Sequence, residues 1–443
     1  MGYCYFILLS MLSFWGVKKQ TNLFTKKFLA LVMIILIFPY GISLLNPFGL
    51  YSVSAEAYSL IAIGFSMFLF GYLSLKGIRP IYQKVNIVCN IQLLFRKKWI
   101  IILFGLSSFT LFSLAATQYA LISIQGGMGN LKIDIFELVF ENNSILYFYY
   151  QAILVPLFYF CVVILAFLVV NGKFNKLVLF LAAYALIFSY IGGKRGYFSI
   201  ILQLFLCAIL ISKYSRIYLC PRKKNVPWFK ILLIGVVAFL GAAYMTNMSS
   251  SDSRDAKNGL ISSSLENAEN LIKYQIGPYR ALDYALQHDL IANPYGYTLG
   301  RATFGGMIDY YGCGLLKMVG IHIPQARAIT MNPVQERSIN IGRTQTWNFS
   351  YTSFYYFLYD LGYFGLILFS FLFGRIVRYS VNLYESKGTI GSIALLGFMF
   401  ISCILFSASW INIQLYAQPS ILLYLYLSKR EMKERRAKKK LLS

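Results

Sequence analysis

A chain of 443 residues with 58% hydrophobic side chains, 13% charged ones and a mean hydropathy of +0.61 does not fold as a water-soluble globule. Its net charge of +25 would suit a nucleic-acid binder, but the cations sit in short segments between apolar runs, as they do in membrane proteins. The seven cysteines contain no CxxC pair, which argues against a disulfide framework or a zinc knuckle.

Apolar runs of membrane-crossing length predict about eleven helices, near residues 2–17, 28–45, 57–75, 99–120, 147–170, 177–191, 197–212, 229–246, 350–374, 389–408 and 411–428. The expected fold is an all-α polytopic membrane protein, because backbone groups in lipid must be satisfied within the chain. Met1–Val17 has neither a basic start nor a small-residue cleavage site and reads as a first crossing. Segments 18–27, 76–98, 171–176, 213–230, 375–388 and 429–443 hold 29 of the 41 Lys and Arg and alternate as a cytoplasmic set. The other side carries 12 cations against 12 acids, with Asp360 set aside inside a span. The expected order is therefore a bundle of about eight helices over 1–246, an extracytoplasmic loop domain over 247–349, about three helices over 350–428, and a basic cytoplasmic tail over 429–443 facing anionic lipid.

Between two mid-chain helices, Ile191-Gly-Gly-Lys194-Arg195-Gly196-Tyr197 places two cations on the outer side, against the orientation rule. Lys194 and Arg195 could hold a lipid-linked phosphate there, Arg as a bidentate fork and Lys as a point charge; the alternative is a tight turn meeting anionic headgroups. In the long loop, Ser263-x-x-Glu266 reads as a capping box opening a helix that ends at Gly277-Pro278, with a second short helix around Arg280 and Asp283. Asn293-Pro-Tyr-Gly296 reads as a turn, and the glycines from 296 to 320 as irregular backbone with re-entrant or interfacial pieces. Among the loop arginines 280, 301, 327, 337 and 343, Arg280 and Arg301 stand in Gly/Pro/Tyr contexts suited to pyrophosphate or acidic sugar. His322, in Gly320-Ile-His-Ile-Pro324, is either a general base or a packed structural residue. His288 reads as an exposed helix end.

The last loop residues lead into Tyr351–Phe364, an aromatic stretch read first as an interfacial belt. Asp360 lies inside the crossing that follows. A carboxylate in that setting is either chemical or paired, because burying it bare costs several kcal/mol. Gly362 and Gly365 would let another helix approach closely. No P-loop, GxSxG or HExxH stands in a plausible setting.

This layout resembles the bacterial O-antigen polymerases (Wzy, oligosaccharide repeat-unit polymerases). The likeness rests on the number of crossings, the Gly-Gly-Lys194-Arg195-Gly turn, one large late loop, Ile323-Pro324, and the re-entry through Asn348, Thr352 and Asp360-Leu-Gly362-Tyr-Phe-Gly365. Leu361 stands where that family has Phe, and Gln325 follows the proline where a basic residue is common. The resemblance implies a metal-independent, cofactor-free glycosyltransferase of the bacterial cytoplasmic membrane. It would polymerise undecaprenyl-pyrophosphate-linked repeat units at the outer face, with a chain-length regulator and a flippase as expected partners. Asp360 and His322 would be catalytic, with Lys194, Arg195, Arg280, Arg301 and Arg343 binding pyrophosphate or glycan. The alternatives are an O-antigen ligase, or a glycolipid flippase or transporter; the latter should show pseudo-symmetric halves and charges along the bundle interior.

Overall fold

The computed structural model describes residues 1–77, 87–125, 144–172, 175–191, 196–214, 260–291, 297–326, 329–330, 339–343, 345–347, 352–408 and 411–442. In chain order the helices are α1 (Gly2–Lys18), α2 (Leu23–Leu45), α3 (Ala55–Ser74), α4 (Ile87–Leu94), α5 (Lys98–Gln125), α6 (Ser144–Tyr149), α7 (Val155–Val170), α8 (Lys176–Tyr190), α9 (Gly196–Tyr214) and α10 (Leu260–Gln287). A π-helical turn, Tyr150–Leu154, joins α6 to α7. A second π turn, Arg301–Gly305, leads into α11 (Gly306–Met318). The antiparallel strands β1 (Ile339–Gly342) and β2 (Gln345–Trp347) follow, then α12 (Ser353–Lys387), α13 (Ile390–Ala408) and α14 (Ile411–Leu442).

Among the described residues, six helices are long and apolar enough to cross a membrane: α2, α3, Lys98–Ala120 of α5, Ile145–Val170, α12 and α13. The chain is thus a mostly helical, multi-pass membrane protein. The expected crossing at 229–246 and the turn at Asn293-Pro-Tyr-Gly296 lie outside the described residues.

Packing divides the chain into two compact units, each assembled from pieces distant in sequence. The first comprises Met1–Ile78, Leu271–Leu383 and Met399–Gln418. Within it α3 and the later part of α12 touch backbone to backbone: a Cβ at Gly71 would strike the Phe371 carbonyl, and one at Gly374 the Phe68 carbonyl. The second comprises Arg79–Asn270, Tyr384–Phe398 and Pro419–Ser443, and its core is α7, buried throughout. There α14 caps two helix ends at once. Glu431 accepts from the Ile390 N–H at 2.8 Å at the start of α13, and Arg435 donates to the Lys387 and Gly388 carbonyls, each at 2.9 Å, at the end of α12. Those groups have no partner within their own helices.

Two expectations change. The helix predicted to stop at Gly277-Pro278 runs on as α10 to Gln287, and it begins one turn before Ser263. Pro278 forfeits one backbone hydrogen bond, but burial of Ile276, Tyr279, Leu282 and Ala285 outweighs that loss. Gly277 is a packing notch, not a stop signal: the Trp347 ring lies 2.8 Å from where its Cβ would be.

The aromatic stretch before Asp360 is not a surface belt. Phe354, Tyr355, Tyr356, Phe357 and Tyr359 are all buried, and among the described aromatic residues of the stretch only Tyr363 and Phe364 are exposed. Backbone geometry gives the reason. Leu361 (φ −149°) and Gly362 (φ +61°) leave the helical region, so α12 consists of a short arm, 353–360, and a long arm, 363–387. The arms fold back on each other. Phe354 and Phe373 both lie against the Phe406 ring, with centroids 5.1 and 4.8 Å away. A straight helix would separate those two residues by about 28 Å. The close approach anticipated at Gly365 is made by the short arm, since a Cβ there would meet the Phe357 carbonyl. The short arm starts beside the middle of α3, where a Cβ at Gly64 would strike the Phe354 ring. The long arm begins near the start of α3, where the Tyr363 hydroxyl reaches Glu56 at 3.2 Å.

Candidate functional site

The reversal at Leu361-Gly362 presents Asp360 at the tip of the α12 hairpin, and the segment 297–326 is built on it. Asp360 is fully buried. Its Oδ1 accepts from the Thr298 hydroxyl and from the Ala302 N–H at 2.9 Å, and its Oδ2 from the Thr303 N–H at 2.8 Å. Its own carbonyl accepts from the Leu299 N–H at 3.1 Å. The carboxylate therefore caps the start of the π turn from outside, where free N–H groups and the helix dipole favour negative charge. Gln418 holds the other end of that turn, donating to the Phe304 and Gly305 carbonyls at 2.6 and 3.2 Å. Left-handed Leu299 (φ +53°) and Gly300 (φ +89°) make the bend that aims 302 and 303 at Asp360. The Phe304 ring then packs edge-on against Phe369, with centroids 5.2 Å apart.

Arg301 leaves the same turn in the opposite direction. Its Nε meets Asp309 Oδ1 at 2.6 Å, and its Nη2 donates to the Pro324 carbonyl at 2.8 Å and lies 3.2 Å from Cys313 Sγ. Asp309 is buried one turn into α11 and also accepts from the Ala326 N–H at 2.8 Å. Burial pushes the Cys313 thiol above its ordinary range; Asp309 adds to the shift and Arg301 partly opposes it. The Arg301 side chain keeps 35% of its surface exposed. It is thus held by a carboxylate and a carbonyl while remaining partly exposed. His322 is exposed and lies two residues before the carbonyl that Arg301 binds. Arg301 and His322 thus both belong to the segment 297–326, and each keeps exposed surface.

The other predicted residues are placed differently. Arg280 is buried, and every N–H of its guanidinium is engaged. Nε donates to the Tyr51 carbonyl, Nη1 to the Ser43 hydroxyl and the Ile276 carbonyl, and Nη2 to the Ser43 carbonyl and Asn46 Oδ1, all at 2.9–3.4 Å. It ties α10 to the α2–α3 connection, beside Asp283, which accepts from the Ser54 N–H at 3.1 Å. Arg343 is exposed at the tip of the β1–β2 hairpin. That hairpin pairs with the same connection, through a bridge between Leu50 and Gly342. His288 is exposed at the end of α10 and stacks on Tyr284. Lys194, Arg195, Arg327, Arg337 and Asn348 lie outside the described residues.

Asp309, Gln418 and Thr298 were not singled out from the sequence. The i, i+4 spacing of Asp309 and Cys313 and the bracketing glycines were visible, but a partner 58 or 114 residues away leaves no local pattern. No family model, curated protein or solved structure matches this chain.

Proposed function

We propose that this protein is a glycosyltransferase that joins lipid-pyrophosphate-linked oligosaccharide repeat units at the outer face of a bacterial cytoplasmic membrane, with about eleven crossings and 247–349 outside the cytoplasm. The observation that carries the reading is the Asp360-capped turn. It fixes a half-exposed Arg301, and with it the His322 segment, on top of a hairpin buried among membrane-spanning helices. An activated donor of this kind brings its own leaving group, so the protein has to stabilise the departing pyrophosphate and accept one proton.

In the proposed step a hydroxyl of one repeat unit attacks the anomeric carbon of the other glycan. The new C–O bond forms as the bond to pyrophosphate breaks, the pyrophosphate leaves on its lipid carrier, and the hydroxyl proton passes to His322. Arg301 neutralises the charge that grows on the leaving group; Lys194 and Arg195 are reserved for the same task. Asp360 and Arg280 are positioning residues in this scheme. The resemblance to O-antigen polymerases supplies the substrate class, and the partial exposure of Arg301 and of His322 in one segment supports the roles proposed for them.

The test is made in the native cell. Loss of the protein should remove long polysaccharide and leave single repeat units, and Arg301→Ala should reproduce that pattern with normal protein levels. If single units on the surface glycolipid disappear as well, the acceptor is that glycolipid and the protein is a ligase. Accumulation of unflipped units on the cytoplasmic side would identify a transporter.

A further inference from the structure

We infer that the outward face of α11 and the residues just beyond it are embedded in the lipid surface of the membrane rather than facing water. Ile308, Leu315 and Met318 are 74, 65 and 83% exposed, and Val319, Ile321 and Ile323 continue the patch at 71, 49 and 41%. Positions 308, 315 and 319 recur at helical spacing, as do 311 and 318, and this stripe holds no charged residue. The opposite face carries Asp309 and Cys313, both buried against Arg301. The helix is therefore amphipathic with its polar side turned into the protein. A loop exposed to water would be expected to show the reverse.

Continuity with the membrane wall identifies lipid as the occupant. The segment leading to α11 exposes Tyr297 and Leu299 at 64 and 74%, and the Tyr297 hydroxyl lies 3.0 Å from the Cβ position of Gly362. The next two residues of α12, Tyr363 and Phe364, are 60 and 63% exposed at the start of the long arm of a membrane-spanning helix, where aromatic rings meet the headgroup region. This placement is independent of the reaction catalysed. It would hold Arg301 and His322 at headgroup depth, so that a lipid-linked ligand could reach them without leaving the bilayer.

The experiment uses the unmodified full chain in nanodiscs containing a phospholipid with a photoactivatable group in its acyl tail. Peptide mass spectrometry should find adducts within 306–323 and none in the 339–347 hairpin. A second measurement places an environment-sensitive fluorophore at Met318→Cys, with Arg343→Cys as reference, after Cys4, Cys89 and Cys220 have been replaced by Ser. The label at 318 should lose most of its emission to nitroxide-tailed lipid and little to aqueous iodide, with the reverse at 343. Absence of adducts together with iodide quenching at 318 equal to that at 343 would put the face in water and overturn the inference. Protection from both quenchers, with cross-links between copies through 318, would assign the face to a second copy and overturn it equally.

Discussion

Arg280 and Arg301 carry the same guanidinium in the same polar segment, yet only one has donors to spare. Arg280→Ala would leave the Ser43, Asn46 and Tyr51 acceptors buried without a donor, at a cost of roughly 3–5 kcal/mol. We expect a large fall in melting temperature, with activity following stability. Arg301→Ala takes the cation from a buried Asp309 that keeps the Ala326 N–H, so the melting temperature should fall, but less than in Arg280→Ala, while turnover falls about 10²–10³-fold. Asp360→Asn discriminates more finely. Either orientation of the amide turns its NH₂ toward the Ala302 or the Thr303 N–H, at about 1–3 kcal/mol for the lost bond. Activity and stability should therefore fall together. A variant that is stable but inactive would return Asp360 to the role of base. Asp360 as an unusual residue was legible from its carboxylate in an apolar run. Its partners were not, because backbone N–H groups and a threonine carry no charge to count.

Among the elements, the α12 hairpin decides most. Gly362 adopts a left-handed conformation that side chains resist, and a methyl group on Gly365 would meet the Phe357 carbonyl. Gly365→Val should therefore separate the arms, displace Asp360 and lower both the melting temperature and the activity. Gly105, with open space around its Cβ position, should tolerate Ala with little change in either measurement. From the sequence, 350–374 read as one crossing, since hydropathy averages over a reversal as readily as over a straight helix. The two glycines were visible, but not that they bend the chain back on itself. The same limit produced the false stop at Gly277-Pro278. Local propensity there was correctly unfavourable and was outweighed by packing against Trp347 and the buried face of α10.

At the scale of the whole molecule, composition alone was enough to make this a multi-pass helical membrane protein. Cation asymmetry predicts an orientation, because it too is a sum along the chain. The assembly of units from distant segments could not be read in that way, since the contacts join residues tens to hundreds of positions apart. The orientation is checked by membrane-impermeant labelling of Ser264→Cys and Lys224→Cys in a cysteine-free chain, which should react from opposite sides. The central claim is that Arg301, fixed above the Asp360 hairpin, serves glycan transfer between lipid-linked donors. Its most direct test is purified protein in nanodiscs supplied with undecaprenyl-pyrophosphate-linked repeat units from the native cell. The account predicts a ladder of lengthening lipid-linked glycans from wild type, and single units only from Arg301→Ala that remains folded. A ladder of wild-type length from Arg301→Ala, or none from folded wild type, would contradict it.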